Sequence, residues 1–345
     1  MNIFWTWRQL PQYGANLLSK MFNDKNNRYE VITSKSYLPI EGLEDTLGSP
    51  IKFVDENKKI TWQELGLPVP DIFFQAGWYI RAFTSLGDQV RKNGGKIVLF
   101  ADNSYKNSLR QKFGVIYFKF FLRNKFDCVW VTGRSGQILM KKAGFLGNKI
   151  YTGLYGSNDK IFKKGESLEK RNNQIIYCGQ FIKRKGFKEL IAAFKSYYIN
   201  NDTWKLVVIG TGPLKNLAKG IDGIKCIDFK SPFVVSEYLR SSKYLILPSY
   251  EDHWPLIVNE ACLSGCGILI SDKVGNRHEF FNQNGYVFKS HSASEIKNVF
   301  NKINRLDKDK EKKISEKSYK LGKKFTQDTW NIKFKMIVDD LSKTI

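Results

Sequence analysis

The sequence predicts an α/β protein with two domains, each built around a mainly parallel sheet. Short apolar runs rich in Val, Ile, Phe and Tyr alternate with longer mixed segments, a pattern typical of buried strands and helices in βαβ units. The length of 345 residues exceeds what one hydrophobic core usually serves. Between residues 151 and 173 the alternation is broken by Gly, Ser, Asn and charged residues, so we place the domain boundary there.

The clearest strands can be placed in order along the chain. They are KIVLF (96–100), DCVWVT (127–132), QIIYCG (174–179), KLVVIG (205–210) and KYLILPS (243–249). In the second half, FKELIAAFKSYYIN (187–200) is predicted to be the helix that connects two of these strands. The order of strand and helix therefore restarts after the boundary, which favours two α/β halves.

Composition excludes several classes of protein. The hydrophobic content of 42% is typical of a globular chain, and no run approaches the roughly 18 apolar residues of a membrane-spanning helix. The first residues lack the features of a secretory signal, so we expect a cytoplasmic protein. The odd number of scattered cysteines indicates reduced thiols, and three histidines without ligand-like spacing make a metal site unexpected. These residues are Cys128, Cys178, Cys226, Cys262 and Cys266, and His253, His278 and His291.

The formal charge of +23 predicts an anionic partner. Nucleic acid, an anionic membrane and a phosphorylated small molecule all fit this charge, and charge alone does not choose among them. Much of the excess lies in residues 301–324, where interspersed acids and helical spacing favour a solvated helix surface before a binding tail. The Asp-x-Asp pair in this segment, Asp307 and Asp309, is therefore interpreted as surface.

A basic loop follows the strand at 174–179. Lys183, Arg184 and Lys185 stand just ahead of the helix start, and Gly186 lets the backbone approach a ligand closely. Such a loop is a plausible site for phosphate oxygens. A solvated basic turn is an equal alternative on this segment alone.

Two carboxylates flank an apolar run in EDHWPLIVNEACLSGCGILISD (251–272). Pro255 fits the first turn of a helix, which leaves the amides of Leu256 and Ile257 available to an anion. Asp252 could simply cap this helix, with Glu260 on an exposed face. Against this, the basic loop and the acidic pair both follow buried strands of one half, at the strand ends where open α/β sheets bind ligands.

Four motifs in the second half resemble those of one enzyme family, the retaining glycosyltransferases usually numbered four. The motifs are GQFIKRKG (179–186), VIGTGPL (208–214), LPSYEDHWPLIVNEACLSGCGILISD (247–272) and NQNGYVF (282–288). The resemblance implies a GT-B fold, with two Rossmann-like domains facing a central cleft and the C-terminal helix crossing back to the first domain. It implies an acceptor-binding domain at 1–155, completed by the returning helix 326–345, and a nucleotide-sugar-binding domain at 156–325.

The resemblance also implies roles for the polar residues of these motifs. Glu260 would hold the ribose hydroxyls of a nucleotide sugar, Asp252 would contact the transferred sugar, and Lys185 would meet the diphosphate. Gln180 stands where the family has Arg, which removes one diphosphate cation and leaves Arg184 as a substitute. Asp252 replaces the usual Glu, which shortens the reach to the sugar by one methylene.

The resemblance is weaker in the first half. QYGANLLSKMF (12–22) is similar to the family's glycine loop leading into the first helix, so Gly14 is expected near the donor phosphates. Where many relatives carry a histidine after the strand at 96–100, this chain has Asp102 and Asn103. Any contact from there to the sugar or the acceptor hydroxyl must therefore differ, and Asp102 is the candidate.

Residues 108–125, SLRQKFGVIYFKFFLRNK, mix aromatic and aliphatic residues with Arg and Lys. A helix of this kind would lie well at an anionic membrane surface, with its aromatics dipping in and its cations meeting headgroups. It could equally be a buried helix of the first domain. Both interpretations remain open at this stage.

The implied reaction moves a sugar, with its anomeric configuration kept, from a UDP or GDP sugar to a hydroxyl of a glycan or lipid-linked glycan. The resemblance suggests synthesis of a bacterial surface polysaccharide such as O-antigen, other lipopolysaccharide or capsule, with no cofactor and no metal. Lys185 and the amides near Leu256 would stabilise the leaving diphosphate. Two alternatives stay open: a GT-B-like enzyme that processes sugar phosphates without an acceptor, and a basic nucleic-acid-binding protein.

Overall fold

The computed structural model describes residues 1–35 and 41–344. It divides into two compact units, one formed by Met1–Gly156 with Gln327–Ile345 and the other by Ser157–Thr326. Within the described residues each unit has one sheet in which every strand pair is parallel. The predicted class, two α/β domains with parallel sheets, is confirmed.

The first unit contains a seven-stranded sheet in the order β3-β2-β1-β4-β5-β6-β7. Its strands are β1 (Asn2–Trp7), β2 (Arg28–Ser34), β3 (Ile51–Val54), β4 (Ile72–Ala76), β5 (Lys96–Ala101), β6 (Cys128–Val131) and β7 (Ile150–Thr152). Its helices are α1 (Gln12–Leu18), α2 (Leu43–Leu47), α3 (Arg81–Lys92), α4 (Leu109–Tyr117), α5 (Arg134–Lys142) and the C-terminal α12 (Gln327–Ser342).

The second unit contains a six-stranded sheet in the order β10-β9-β8-β11-β12-β13. Its strands are β8 (Asn172–Cys178), β9 (Lys205–Ile209), β10 (Ile224–Ile227), β11 (Ser242–Leu247), β12 (Gly267–Ser271) and β13 (Gly285–Phe288). Its helices are α6 (Phe187–Tyr198), α7 (Pro232–Ser241), α8 (Leu256–Leu263), α9 (Arg277–Phe280), α10 (Ala293–Ile303) and α11 (Lys308–Gly322).

Aromatic side chains dominate the core of the first unit. The ring of Trp5 on β1 stacks on Phe74 of β4, with 4.1 Å between ring centroids. Helix α12 completes this core, since Trp330 stacks on Trp130 of β6 at 5.3 Å. The C-terminal helix therefore returns to the first unit, as the resemblance implied.

The core of the second unit is more aliphatic. Its central strands β8 and β11 are buried and apolar at residues 175–177 and 244–247, so both faces of these segments pack against apolar side chains. The lysine-rich segment forms α11, and the side chain of Asp307, the residue before this helix, accepts a hydrogen bond from the amide of Lys310 at 2.8 Å. Asp307 is thus a helix cap, in agreement with its interpretation as surface.

No helix of the described residues has both the length and the apolar content needed to cross a bilayer. All five cysteines are free of disulfide bonds. Residues 108–125 form α4 and a π-helical turn, Phe118–Leu122, and no side chain of α4 is fully buried. The alternative of a buried helix is therefore wrong for α4, because most of its apolar side chains are exposed to solvent.

Candidate functional site

Four loops of the second unit follow the carboxyl ends of strands, and the polar residues singled out in the sequence lie in two of these loops and in α8. The loops 179–186, 210–214, 248–255 and 272–276 follow β8, β9, β11 and β12 respectively. Because these strands are parallel neighbours, all four loops emerge at one edge of the sheet. This edge is where an open α/β sheet binds its ligand.

The loops after β8 and β9 are bonded to each other through their backbones. The amide of Phe181 donates to the carbonyl of Thr211 at 2.8 Å, and the amide of Leu214 donates to the carbonyl of Phe181 at 3.1 Å. A Cβ on Gly212, whose φ is +153°, would lie 2.6 Å from that carbonyl oxygen. The glycine therefore permits a close contact between two loops.

The basic loop is also tied to the loop after β11. Gly186 has a φ of +67°, and a Cβ there would lie 2.1 Å from the carbonyl oxygen of Pro248. The amide of Tyr250 donates to the carbonyl of Arg184, and the Arg184 guanidinium donates to the carbonyl of Glu251, both at 2.8 Å. These hydrogen bonds hold the basic loop against the loop after β11, so the basic loop differs from a purely solvated turn.

Lys185 and Asp252 form an ion pair within this structure. Only 15% of the Lys185 side chain and 10% of the Asp252 side chain are exposed. The hydroxyl of Ser249 donates to the same carboxylate oxygen at 3.4 Å, and the amide of Gly275 donates to the Asp252 carbonyl at 2.7 Å. Three loops therefore fix the position of Asp252.

Asp252 does not cap α8. The residue before the helix is Pro255, and no side chain of the described residues caps this end. The Asp252 carboxylate is held instead by Lys185, and its backbone pairs with the loop after β12. The alternative interpretation of Asp252 as a helix cap is therefore wrong.

The first turn of α8 presents backbone amides at the same edge. The side-chain amide of Asn276 donates to the Pro255 carbonyl at 3.0 Å and so fixes the start of the helix. Within residues 1–35 and 41–344, no oxygen accepts a hydrogen bond from the amides of Leu256 or Ile257. A helix start with free amides favours an anion.

Glu260 lies one turn further along α8 and is half-buried. Burial raises the pKa of its carboxyl from 4.5 to about 7. Burial, with a smaller effect of the Glu260 charge, also raises the pKa of Cys178 at the end of β8 to about 12, which places the two side chains close together. No side chain or amide in the described ranges donates to the Glu260 carboxylate, and the alternative of an exposed, solvated Glu260 is wrong.

The other predicted site residues lie as follows. The side chain of Gln180 is exposed at the start of the basic loop. Gly14 and Asp102 belong to the first unit, so the structure groups seven of the nine predicted site residues at one sheet edge of the second unit. Gly14 lies inside α1, where a Cβ would be 2.9 Å from a methyl carbon of Leu10. Asp102 follows β5 and accepts a hydrogen bond from the Tyr155 hydroxyl at 3.4 Å.

Sequence reasoning missed three residues that position the site. Ser249 and Gly275 both contact Asp252, and Asn276 holds the start of α8. Gly275 approaches the loop after β11 so closely that a Cβ there would lie 2.1 Å from the His253 carbonyl oxygen. The Gly-Asn pair that follows the strand GILIS after three residues was the available signal, since glycine permits a close approach of two backbones.

Two parallel-sheet α/β domains, with basic and acidic loops joined at the carboxyl edge of the second sheet, place this chain in the GT-B class of folds. Residues 158–321 match the family model described as Glycosyl transferases group 1. This range includes every predicted site residue of the second unit.

Comparison with known proteins supports this class. An uncharacterized glycosyltransferase of Haemophilus influenzae is 31% identical over 114 residues, which cover 32% of this chain and 32% of that protein. This chain thus spans about a third of the length of that relative in the match. A glycosyltransferase from Rickettsia africae has a similar fold, with a TM-score of 0.76, 14% identity and coverage of 99% of this chain and 98% of the other. Anabaena HepE in complex with UDP gives a TM-score of 0.76 at 13% identity, over 99% of this chain and 100% of the other.

Proposed function

We propose that this protein is a retaining glycosyltransferase of family four that transfers a sugar from a UDP or GDP sugar to a hydroxyl of a glycan or lipid-linked glycan. Its place would be the synthesis of a bacterial surface polysaccharide, at the cytoplasmic face of the cell membrane. The second unit binds the donor, and the first unit binds the acceptor. The reaction needs only the donor and the acceptor, with no cofactor and no metal ion.

The observation that carries this proposal is the unsatisfied carboxyl of Glu260. A half-buried carboxyl with a pKa raised to about 7 and no donor among the described residues destabilises the protein unless a ligand supplies the missing hydrogen bonds. Two ribose hydroxyls are suitable donors. The free amides of Leu256 and Ile257, one turn earlier in α8, then suit the phosphates attached to that ribose.

The ion pair of Lys185 and Asp252 explains how the site keeps a cation ready. Without donor, Asp252 compensates the charge of a mostly buried ammonium group. When a diphosphate binds, Lys185 contacts its oxygens, and Asp252 becomes available to accept a hydrogen bond from a sugar hydroxyl. Arg184, held by the Glu251 carbonyl, contributes the second cation in place of the family's arginine at Gln180.

In the chemical step the bond from the anomeric carbon to the diphosphate oxygen breaks, and both electrons stay on that oxygen. The acceptor oxygen forms the new bond on the same face, and its proton passes to the leaving diphosphate. Negative charge therefore grows on the diphosphate in the transition state. Lys185 and the amides at the start of α8 stabilise that charge more strongly than the charge of the ground state.

A panel of nucleotides tests the donor part of this proposal. UDP, GDP and ADP are compared by thermal shift, and we expect one of the first two to raise the melting temperature, since a ligand that binds only the folded state stabilises it. The fold of HepE, solved with UDP, makes UDP the first candidate. No shift with any nucleotide would contradict the proposal and favour the basic nucleic-acid-binding alternative.

Transfer is tested with the donor that binds. Release of the nucleoside diphosphate only in the presence of a glycan acceptor, with a product of retained anomeric configuration by NMR, is the expected result. Release without any acceptor would favour the alternative of a sugar phosphate-processing enzyme. An inverted product would contradict the retaining mechanism.

A further inference from the structure

Helix α4 and the π-helical turn after it carry apolar side chains on two opposite faces. One face packs on the first unit through Phe118, which is only 3% exposed and whose ring lies 5.2 Å from that of Trp78. The other face is a stripe of large side chains in solvent, with Phe113 and Phe120 each 71% exposed. The whole stripe consists of Leu109, Phe113, Ile116, Tyr117, Phe120 and Phe121. We name it the aromatic stripe.

The spacing shows that the aromatic stripe is one continuous surface. Its members recur at intervals of three and four residues, which places them on one side of a helix. The rings of Tyr117 and Phe121 stack at 5.1 Å, so adjacent turns are in contact within the stripe. Soluble proteins rarely expose a contiguous apolar patch of this kind unless another surface covers it.

The charged residues beside the aromatic stripe indicate which kind of surface covers it. Residues 103–126 contain six Lys or Arg and no Asp or Glu. Arg110, Lys112 and Lys119 are all exposed beside the stripe. Arg123 has a different function, because its guanidinium donates to the carbonyls of Gly144 and Phe126 at 3.2 and 3.0 Å and fastens the segment to the unit.

We infer that the aromatic stripe docks the protein on an anionic lipid bilayer. Apolar side chains enter the acyl boundary, and the flanking cations meet acidic headgroups. A second copy of this chain fits poorly, because a symmetric dimer through the stripe would bring the cations of one copy against those of the other. This inference deepens the proposed function by naming the surface that holds the enzyme at its membrane, although its test needs neither donor nor acceptor.

The test is co-sedimentation of the full chain with vesicles. Vesicles of phosphatidylcholine alone are compared with vesicles that also contain phosphatidylglycerol. We expect binding to the anionic vesicles, little binding to the neutral ones, and release as salt rises, because screening weakens the attraction between surface charges. Equal binding to both kinds of vesicle, or binding to neither, overturns the inference.

Two variants separate the contributions of the stripe. The double substitution Phe113→Ser with Phe120→Ser removes two exposed rings and should lower the vesicle association constant about tenfold or more. Its matched control is Ile199→Ser with Ile332→Ser, which removes two exposed apolar side chains elsewhere and should change nothing. An equal loss in the control overturns the assignment to this helix.

The charge variant replaces Arg110, Lys112 and Lys119 by Gln, and we expect roughly a hundredfold weaker binding to anionic vesicles. Its control replaces the exposed Lys308, Lys312 and Lys313 of α11 by Gln, with the same change in net charge. If both triple variants lose binding equally, net charge and not this surface drives association, which overturns the inference.

Two further measurements keep the test of membrane docking separate from the test of the proposed function. Transfer to a water-soluble acceptor should be unchanged in the Phe113→Ser, Phe120→Ser variant, so failed docking with intact transfer, or the reverse, identifies which idea is wrong. Analytical ultracentrifugation of wild type and variant completes the experiment. A dimer that the double substitution abolishes, with no vesicle binding, would assign the stripe to a second copy.

Discussion

At the scale of single residues, Glu260 and Asp252 differ in the hydrogen-bond and ion-pair partners that their carboxylates have in the unliganded protein. Asp252 has Lys185 and Ser249 as partners, whereas no described residue donates to Glu260. The first carboxylate is stabilised in the unliganded protein, and the second is not. Substitution of each by its amide should therefore have opposite effects on stability.

Glu260→Gln should raise stability at pH 8 and lower nucleotide affinity. The folded pKa of Glu260, about 7, lies above its ordinary value of 4.5. The free energy of unfolding is therefore highest below pH 4.5, where this carboxyl is neutral in both states, and falls as pH rises through 7. A neutral amide removes that loss and should increase the free energy of unfolding at pH 8 by about 1–3 kcal/mol. Urea unfolding of wild type and variant at pH 5 and pH 8 measures the free energies of unfolding, and we expect no increase in the variant at pH 5.

In the same variant, calorimetry should show UDP affinity at least about tenfold weaker, because an amide cannot accept charge-assisted bonds from both ribose hydroxyls. Wild-type affinity should rise between pH 6 and pH 8 as the carboxyl ionises, and the Gln variant should lack this part of the rise. Asp252→Asn serves as the comparison. Its UDP affinity should stay near that of the wild type while turnover with the nucleotide sugar falls.

Lys185→Ala should lower turnover by about 100-fold or more, since it removes a cation that faces the growing charge of the leaving diphosphate. Lys183→Ala is the matched control, because Lys183 lies in the same turn but is exposed and has no ion pair in the described structure. Steady-state kinetics on variants that show wild-type circular dichroism measure the effect. Similar losses in both variants would reject the role assigned to Lys185.

At the scale of elements, the loops at the edge of the second sheet depend on close backbone contacts. Gly186 both adopts a φ of +67° and touches Pro248, so the end of the basic loop leaves no room for a side chain. The positions of Arg184 and Lys185 follow from this contact. The loop should therefore be sensitive to one added methyl group.

Gly186→Ala should destabilise the protein by about 2–4 kcal/mol, from both the strained φ and the clash with the Pro248 carbonyl. Gly220→Ala is a control with nearly the same φ, +64°, and no atom within 4 Å of the added Cβ. It should cost only the strain, about 1 kcal/mol. Urea unfolding of both variants gives the difference, and equal values would mean that the contact with Pro248 is easily relieved.

The sequence predicted five buried strands well and the short edge strands β3 and β7 poorly. The predicted runs for β5, β6, β8, β9 and β11 agree with the structure within two residues at each end, because a run of Val, Ile and Leu between polar segments has few other solutions. Strands β3 and β7, with four and three residues, are too short to show a period. Their extended conformation depends on pairing with the neighbouring strands β2 and β6.

The site was predictable where side-chain chemistry carries it. The basic loop was visible in the sequence, as was the acidic pair Asp252 and Glu260 with seven residues between its members. The contacts of Ser249 and Gly275 with Asp252 were not, because the fold decides which group a serine hydroxyl meets, and the backbone hydrogen bond from Gly275 leaves little trace in residue type. The pairing of Lys185 with a residue 67 positions away also depends on the order of strands in the sheet.

At the scale of the whole molecule, the first unit is assembled from both ends of the chain. Trp330 of α12 is only 1% exposed and contacts Trp5 and Trp130, which lie on two different strands. A helix that belongs to the last residues thus covers a sheet that begins with the first. The core of this unit needs residues that are far apart in sequence.

Trp330→Ala should lower the free energy of unfolding of the first unit by about 3–5 kcal/mol, because it leaves a large cavity beside two tryptophans. Ile332→Ala, two residues along the same helix and 65% exposed in the wild type, should change it by less than about 0.5 kcal/mol. Tryptophan fluorescence during urea unfolding reports on this cluster. A small effect of Trp330→Ala would mean that α12 contributes little to the core.

The position of Trp330 has a consequence for biosynthesis. When the ribosome has completed Trp130, the residue that stacks on it is still 200 codons away, a delay of roughly 10–40 s at ordinary rates of translation. The second unit, a single continuous segment from Ser157 to Thr326, emerges in full before that residue does. The aromatic core of the first unit therefore stays incomplete during synthesis of the whole second unit, although the residues of its sheet are made first.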